Sequence, residues 1–214
     1  MSPRSQEKGK LAELAIEAKA CRRCPLYRIA TQTVFGEGPA TAQVMIVGEQ
    51  PGDREDLSGR PFVGPAGHLL DKALALAGIS RSKVYLTNVV KHFKNEPRGK
   101  RRLHKRPNAS EIQKCRWWLD REIATVRPKF IVALGVTAAE ALLGKSVVLS
   151  RQRGMLLEFP KVGVGLVTVH PSSILRAPDK AARDVSFAAF VKDLKHARTL
   201  LSRRDTPEQN RRNP

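Results

Sequence analysis

Four short apolar runs, rich in valine, isoleucine and leucine, are spaced along the chain and separated by longer segments of mixed polarity. Continuous apolar runs of this length are typical of strands that are buried on both faces of a sheet. The pattern therefore predicts strands at 43–48, 84–89, 130–135 and 164–169.

The segments around these runs carry apolar residues at helical spacing. They predict helices at 7–20, from Pro65 to Gly78, from Ser110 through Cys115, near 137–143, and at 180–201. Strands that alternate with helices form βαβ units, in which helices cover both faces of a parallel sheet. The expected fold class is α/β: a three-layer α/β/α sandwich with a central four-stranded parallel sheet, in a single domain over residues 1–201. Residues 202–214 are charged and contain prolines, so we expect a disordered tail there.

The charge of the chain narrows the kind of partner. Lysine and arginine number 39 against 20 acidic residues, and the formal net charge is +19. Such an excess favours an acidic polymer, nucleic acid in the first place, over a membrane surface. No apolar run approaches the roughly 20 residues that span a bilayer, and the polar N-terminus has no signal-peptide core. We therefore expect a cytoplasmic protein without a membrane partner.

A basic loop at 94–108 contains one histidine, His104, in a dense run of cations that begins at Lys91. The cations next to the histidine include Lys100, Arg101, Arg102 and Lys105. Such a loop is suited to hold a polyanion close to an imidazole. Like charges disfavour the protonated ring, which leaves a neutral imidazole that can attack an electrophile. A solvated loop whose histidine has no role is the alternative.

Polar residues follow three of the predicted strands, at 48–53, 88–92 and 170–173. In open parallel sheets, ligands bind beyond the carboxyl ends of the strands. The tight turn at 48–53 can hold Glu49 and Asp53 over this edge, where a carboxylate acts as a base or stabilises positive charge. A plain polar turn is the alternative. The turn lacks the glycine spacing of dinucleotide or Walker loops, so we expect no nucleotide cofactor.

Further candidates lie in the loop at 59–67 and at the other strand ends. Phe62 stands among glycines and prolines that can present its ring to a base, although a buried loop phenylalanine is equally compatible. The amide of Asn88 offers a donor beside an acceptor and can read the edge of a base. His170 can donate to a leaving group and Arg176 to a phosphate. Taken singly, each polar residue is also compatible with a structural role.

Three cysteines suit a metal site better than a disulfide framework. Cys21 and Cys24 form a C-x-x-C pair, Cys115 lies far downstream, and His92 lies between. Three thiolates and one imidazole can hold either a [4Fe–4S] cluster or a tetrahedral zinc ion.

Together these segments resemble the uracil-DNA glycosylase superfamily and its fold. The resemblance rests on GEQPGD at 48–53, GRPFVGPAG at 59–67, TNVVKHF at 87–93, HPSSILR at 170–176 and the cysteine set. The cysteines are similar to those of the family 4 branch of bacterial and archaeal enzymes. Gln50 replaces the alanine that is usual in family 4, and together with the basic loop it resembles the X-type branch, UdgX. Members of that branch attach themselves covalently to uracil-containing DNA.

The resemblance implies how the base is recognised. Uracil would be flipped out of DNA, preferably single-stranded, into the pocket. Phe62 would stack on the base, and Gln50 would add a polar contact. Asn88 would recognise the O4 acceptor beside the N3–H donor, a pair that cytosine reverses. His170 would stabilise the departing uracil anion through O2.

The resemblance also implies the chemistry at the sugar. His104 would attack C1′, while Glu49 would orient the imidazole and accept its proton. Asp53 would support the turn or a catalytic water. The implied protein is a monomeric DNA-repair enzyme that completes a single turnover. The implied ligands of its [4Fe–4S] cluster are Cys21, Cys24, His92 and Cys115.

Two other functions stay open at this point. A conventional family 4 glycosylase with a basic loop would release more than one uracil per protein molecule. A non-catalytic DNA-binding protein would bind DNA equally with and without uracil.

Overall fold

The computed structural model describes residues 3–205, with side chains from residue 6 to 203. The helices are α1 (Pro3–Lys19), α2 (Asp53–Ser58), α3 (Pro65–Ala77), α4 (Ala109–Val126), α5 (Val136–Leu143), α6 (Leu149–Gln152), α7 (Pro171–Leu175) and α8 (Lys180–Asp205). The strands are β1 (Val44–Gly48), β2 (Val84–Asn88), β3 (Asn95–Arg98), β4 (Arg101–His104), β5 (Phe130–Leu134), β6 (Leu156–Phe159) and β7 (Gly163–Thr168). Short 3₁₀ turns lie at Pro25–Arg28 and Arg81–Lys83.

The main sheet has the strand order β2-β1-β5-β7-β6. Its first four strands are parallel and are the four that the apolar runs predict, so the α/β class is confirmed. The expected count of four strands is wrong, because β6 pairs antiparallel with β7 and adds a fifth. This edge strand exposes Leu156 and buries Phe159, so it carries no continuous apolar run.

Each face of the sheet carries its own apolar core. Successive residues of a strand point to opposite faces. Met45 and Val47 of β1 therefore pack in the core that includes α1, α4 and α5. Val44 and Ile46 pack in the other, with α3 and α8. This arrangement gives the three layers that the sequence predicts.

The basic loop is folded into an antiparallel hairpin of β3 and β4, here called the basic hairpin. The sequence indicated only a loop, and the difference matters because strand register places His104 directly opposite Asn95. Gly99 makes the turn with a φ of 58°, which glycine adopts without strain. The histidine is therefore part of a defined strand end.

Three helix boundaries differ clearly from the prediction. Helix α1 begins at Pro3 rather than at residue 7. Helix α4 is capped by Asn108 and Glu111, two residues before the expected Ser110 pattern. Helix α8 continues to Asp205, so the first four residues of the predicted tail are helical. The rest of that tail, 206–214, lies outside the described residues. Within residues 3–205, no helix combines the length and the apolar character that crossing a bilayer requires.

Candidate active site

A cleft of about 820 Å³ opens where the parallel strands of the sheet end. It brings together the predicted candidates from distant parts of the chain. Its lining includes Glu49, Gln50, Asp53, Phe62, Asn88, His104, His170 and Arg176. The rule that ligands bind beyond the carboxyl ends of parallel strands therefore points to this cleft.

Asn88 and Phe62 meet over Gly48 in the floor of the cleft. A Cβ at Gly48 would collide with Asn88 Oδ1 and with the Phe62 ring, so only glycine allows both to approach the strand. Asn88 is 3% exposed, and its Oδ1 has no hydrogen-bond partner among the described residues. Because an unpaired buried oxygen is costly, a ligand that donates a hydrogen here gains the binding energy that the protein leaves unused.

The Phe62 ring is held by a backbone conformation that non-glycine residues rarely adopt, with φ at 55°. Its carbonyl lies against Gly67, where any side chain would collide with it. Arg81 Nη2 also donates to this carbonyl at 3.4 Å. The ring centroid lies 6.4 Å from that of His170, with 30° between the ring planes. The loop thus presents a fixed aromatic ring beside an imidazole.

His104 lies at the side of the cleft, at the end of β4. Gln50 Nε2 lies 2.9 Å from His104 Nε2 and also donates to the carbonyl of Lys105, at 3.0 Å. The Gln50 oxygen accepts from the Lys94 backbone N–H at 3.0 Å, which fixes the orientation of the amide. His104 Nε2 therefore faces an N–H donor and carries the lone pair, while Nδ1 carries the proton. The predicted contact of Gln50 with a base stays a prediction.

The surroundings of His104 favour its neutral form. Partial burial in the cleft lowers the pKa of His104 below its usual 6.5, and the charge of Arg176 acts in the same direction. Glu49, whose Oε1 lies 3.6 Å from Nε2, opposes this shift. The sequence predicts this lowering of the His104 pKa. The main cause differs, because burial contributes more than the neighbouring cations.

His170 is also neutral. Burial lowers its pKa to about 4, and the charge of Arg176 and the protonated form of His104 act in the same direction. Its Nδ1 accepts the backbone N–H of Ser172 at 3.2 Å at the start of α7. The hydrogen of the neutral ring is therefore on Nε2, which makes His170 a hydrogen-bond donor at that atom.

The basic hairpin is anchored to α2 by Arg102. Its Nε donates to Asp53 at 2.7 Å, and its Nη1 donates to the buried carboxylate of Asp56 at 2.6 Å. Arg102 and Asp53 were predicted as a phosphate contact and as a support for the turn or a water. In the structure, they form one ion-pair network that ties the hairpin to the floor of the cleft.

Other predicted phosphate contacts lie on the surface. Lys100, Arg101 and Arg176 are exposed, and none of them forms an ion pair with another side chain in the range 6–203. Lys105 pairs with Glu96 across the hairpin at 2.5 Å, and both side chains are exposed. Exposed cations without protein partners are free to bind phosphates.

One neighbour of Glu49 was missed by the sequence interpretation. Thr137 donates its hydroxyl hydrogen to Glu49 Oε2 at 2.5 Å and accepts from Arg106 Nε at 3.1 Å. Thr137 lies in the first turn of α5, directly after β5. The rule that ligands bind at strand ends was applied to the other three predicted strands. Applied to β5 as well, it would have indicated Thr137.

The three cysteines and His92 are buried on the other side of the β2 end. Burial raises the pKa of Cys24, and it raises the pKa of Cys115 to about 12, with the nearby Cys21 acting in the same direction on both. Among the described side chains, no group of three or more is arranged to hold a metal ion as it stands. His92 Nε2 lies 3.3 Å from the Thr33 hydroxyl, whereas its buried Nδ1 has no partner in the described part of the chain. The donor types and this free nitrogen fit a group with sulfur and nitrogen ligands.

Comparison with known proteins assigns the family. The model for the uracil DNA glycosylase superfamily matches residues 35–195. A type-4 uracil-DNA glycosylase of Pyrobaculum aerophilum is 39% identical over 167 residues, which cover 75% of this chain and 82% of the relative. The type-4 enzyme of Thermotoga maritima is 35% identical over 195 residues, 90% and 96% of the two chains. The chain therefore belongs to the uracil-DNA glycosylase superfamily, within its type-4 family.

Proposed function

We propose that this protein is a DNA-repair glycosylase that excises uracil, preferably from single-stranded DNA, and then attaches itself through His104 to C1′ of the sugar. It acts as a monomer. The proposal rests on one observation. The same cleft contains the unpaired side-chain oxygen of Asn88, Oδ1, and the unprotonated Nε2 of His104. The first is suited to read a base, and the second to attack an electrophile.

Uracil recognition uses the floor of the cleft. The flipped base stacks on Phe62, and its N3–H donates to the unpaired Asn88 oxygen. Cytosine has no hydrogen on N3 and would leave this oxygen unpaired, which discriminates strongly against it. His170 donates from Nε2 to uracil O2, where negative charge develops as the base leaves.

The reaction breaks the bond between C1′ and N1 of uracil. The electron pair leaves with the base, and the sugar becomes oxocarbenium-like, as in glycoside hydrolysis. The Nε2 lone pair of His104 then forms a bond to C1′. The ring acquires a positive charge, which the Glu49 carboxylate stabilises from 3.6 Å beside Nε2. Because Glu49 lies at Nε2, the Nδ1 proton passes to solvent. The released uracil anion takes a proton from water.

The basic hairpin and α7 supply the contacts to the DNA backbone. We assign Lys100, Arg101 and Arg176, which are exposed, to contacts with phosphates on either side of the flipped nucleotide. Lys105 is assigned to the same role and would exchange its exposed partner Glu96 for a phosphate. Phosphate contacts fix the register of the strand and hold C1′ near His104 while the bond forms.

The buried thiols fit an iron–sulfur cofactor. We assign Cys21, Cys24, Cys115 and His92, through its free Nδ1, as the ligands of a [4Fe–4S] cluster. Bound there, the cluster would link the end of α1, the segment after β2 and helix α4. Purified protein should be brown, with about four irons per chain for a cluster of this type. A colourless protein with stoichiometric zinc would contradict this assignment.

The activity itself is tested by release of free uracil from single-stranded oligonucleotides that contain one uracil, cytosine or thymine. We expect release from the uracil strand alone, and an equal lack of release from all three would refute glycosylase function.

A conventional glycosylase that performs many turnovers is the second candidate. The named type-4 relatives favour it. Counting uracil released per protein molecule separates the two candidates. Our proposal predicts a plateau at one, whereas steady release beyond one supports the conventional enzyme.

A further inference from the structure

A fully buried ion pair lies behind Asn88. Lys91 Nζ and Glu122 Oε2 are 2.6 Å apart, and both side chains have no exposed surface. Lys91 belongs to the turn after β2, whereas Glu122 lies in the second half of α4. Removing two charges from water is costly, and the cost is offset only when both groups find good partners.

These partners are all present. The Lys91 ammonium donates at 2.6 Å to each of three acceptors: Glu122, the Thr87 hydroxyl and the backbone carbonyl of Asn88. An ammonium has three hydrogens, so its donor capacity is fully used. Glu122 Oε1 also accepts from the Tyr85 hydroxyl at 3.1 Å and from the Gly36 backbone N–H at 2.9 Å. The network therefore allows a single geometry of the turn.

Helix α4 holds this turn at two points. The backbone N–H of Lys91 donates to Cys115 Sγ at 3.0 Å, while the ammonium of the same residue binds Glu122. Cys115 and Glu122 are seven residues apart, close to two helical turns, and so share one face of the helix. The backbone of Asn88 is thus fixed from behind, while its side-chain oxygen stays unpaired in the cleft.

We propose that Lys91 and Glu122 are positioning residues for Asn88. Their buried ion pair fixes the backbone carbonyl of Asn88. The side-chain amide of the same residue is thereby held in the position where it recognises uracil. The inference rests on the proposed function, because it takes Asn88 as the base-reading group. Apolar side chains of similar size can fill the same space without fixing the carbonyl, so the pair is not required for packing alone.

The test compares Lys91→Met/Glu122→Met with the parent protein at equal iron content. In single-turnover uracil release, the double variant should be slower by roughly tenfold or more, because small misplacements of a site group cost about that much. Its affinity for a thymine oligonucleotide should be unchanged. Lys161→Met/Asp120→Asn removes an ion pair at the surface, between Asp120 of the same helix and Lys161 of the turn between β6 and β7, and should leave the rate unchanged.

Combining the double variant with Asn88→Ala shows whether the ion pair acts through Asn88 or stabilises the protein in general. Asn88→Ala should slow release in the parent by about 100-fold, comparable to the loss of one preorganised hydrogen-bonding group in a site. In the double variant, the same change should cost much less, because the amide is already misplaced. If the rate losses of Asn88→Ala and of the double variant simply multiply when they are combined, the inference is wrong. It is also wrong if the double variant releases uracil at the parent rate. If Asn88→Ala has no effect in the parent, it is the proposed role of Asn88 that fails.

A milder variant covers the case in which the double variant does not fold. Thr87→Val keeps the side-chain shape but removes the hydroxyl that Lys91 and Glu122 share. It should slow uracil release several-fold in the parent protein. In a protein that already carries Asn88→Ala, the same change should slow release less. A Thr87→Val protein with the parent rate would count against the proposal.

Discussion

At the scale of single residues, the two histidines of the cleft are neutral for reasons that can be traced to particular atoms. Gln50 donates to Nε2 of His104, so this nitrogen carries the lone pair. The backbone N–H of Ser172 donates to Nδ1 of His170, so the opposite nitrogen of that ring carries the hydrogen. One ring therefore offers a lone pair to the cleft and the other offers a hydrogen, although the side chains are chemically identical.

Replacing His104 by serine should abolish the covalent adduct and preserve uracil release. Serine leaves space in which water can attack C1′, while Phe62, Asn88 and His170 still recognise and release the base. The measurement is a denaturing gel combined with quantification of free uracil. His68→Ser, on the exposed side of α3, is the matched control and should behave like the parent. An adduct that survives His104→Ser would exclude His104 as the nucleophile.

The rate of adduct formation should depend on pH through His104. Protonation removes the attacking lone pair, and the pKa of His104 lies below 6.5. The rate at saturating DNA should therefore fall as the solution becomes more acidic, with a midpoint below pH 6.5. Uracil release by His104→Ser should lack this fall. A midpoint at or above pH 6.5 for the parent protein would contradict the pKa direction.

At the scale of elements, the basic hairpin is a support whose position is set by contacts distant in sequence. Arg102 reaches Asp53 and Asp56, and Gln50 binds the two chain segments that enter and leave the hairpin. These contacts hold His104 in place before DNA binds, which would lower the entropic cost of the proposed attack on C1′.

Loss of this anchor should affect the adduct more than release of the base. Arg102→Gln should slow adduct formation by roughly tenfold to 100-fold, because the hairpin no longer holds His104 in place. Arg101→Gln, one residue earlier on the exposed face, should weaken DNA binding but keep the ratio of adduct to released uracil. Equal ratios for the two variants would show that Arg102 does not position His104.

The elements differ in how well the sequence predicts them. Strands buried on both faces leave an unambiguous apolar run, so β1, β2, β5 and β7 could be predicted. The edge strand β6 and the hairpin strands are half exposed and depend on partners elsewhere in the chain. Such pairing has no local signature.

The same limit applies to the site. The strand-end rule finds Glu49, Asn88 and His170, because topology alone brings strand ends together. It cannot find the Lys91–Glu122 pair, since a lysine at the start of a basic run suggests exposure, whereas the structure buries it completely. Burial of a charge depends on the partner that helix α4 provides, 31 residues away in the chain.

At the scale of the whole molecule, the net charge of +19 attracts DNA before any specific contact forms. Binding of an intact thymine oligonucleotide should therefore weaken steeply as salt increases. Lys100→Gln/Arg101→Gln should reduce the slope of log K against log salt by about 1.4, from two phosphate contacts at about 0.7 each on single-stranded DNA. An unchanged slope would mean that the tip of the hairpin does not contact phosphates.

We propose that one cleft both excises uracil and captures the sugar. The most direct measurement mixes the protein with a labelled single-stranded oligonucleotide containing one uracil, boils the mixture in SDS and resolves it on a gel. We expect a heat-stable band shifted by one protein mass, absent when thymine replaces uracil. Free uracil with an unshifted, alkali-labile strand would contradict covalent capture and leave a conventional glycosylase.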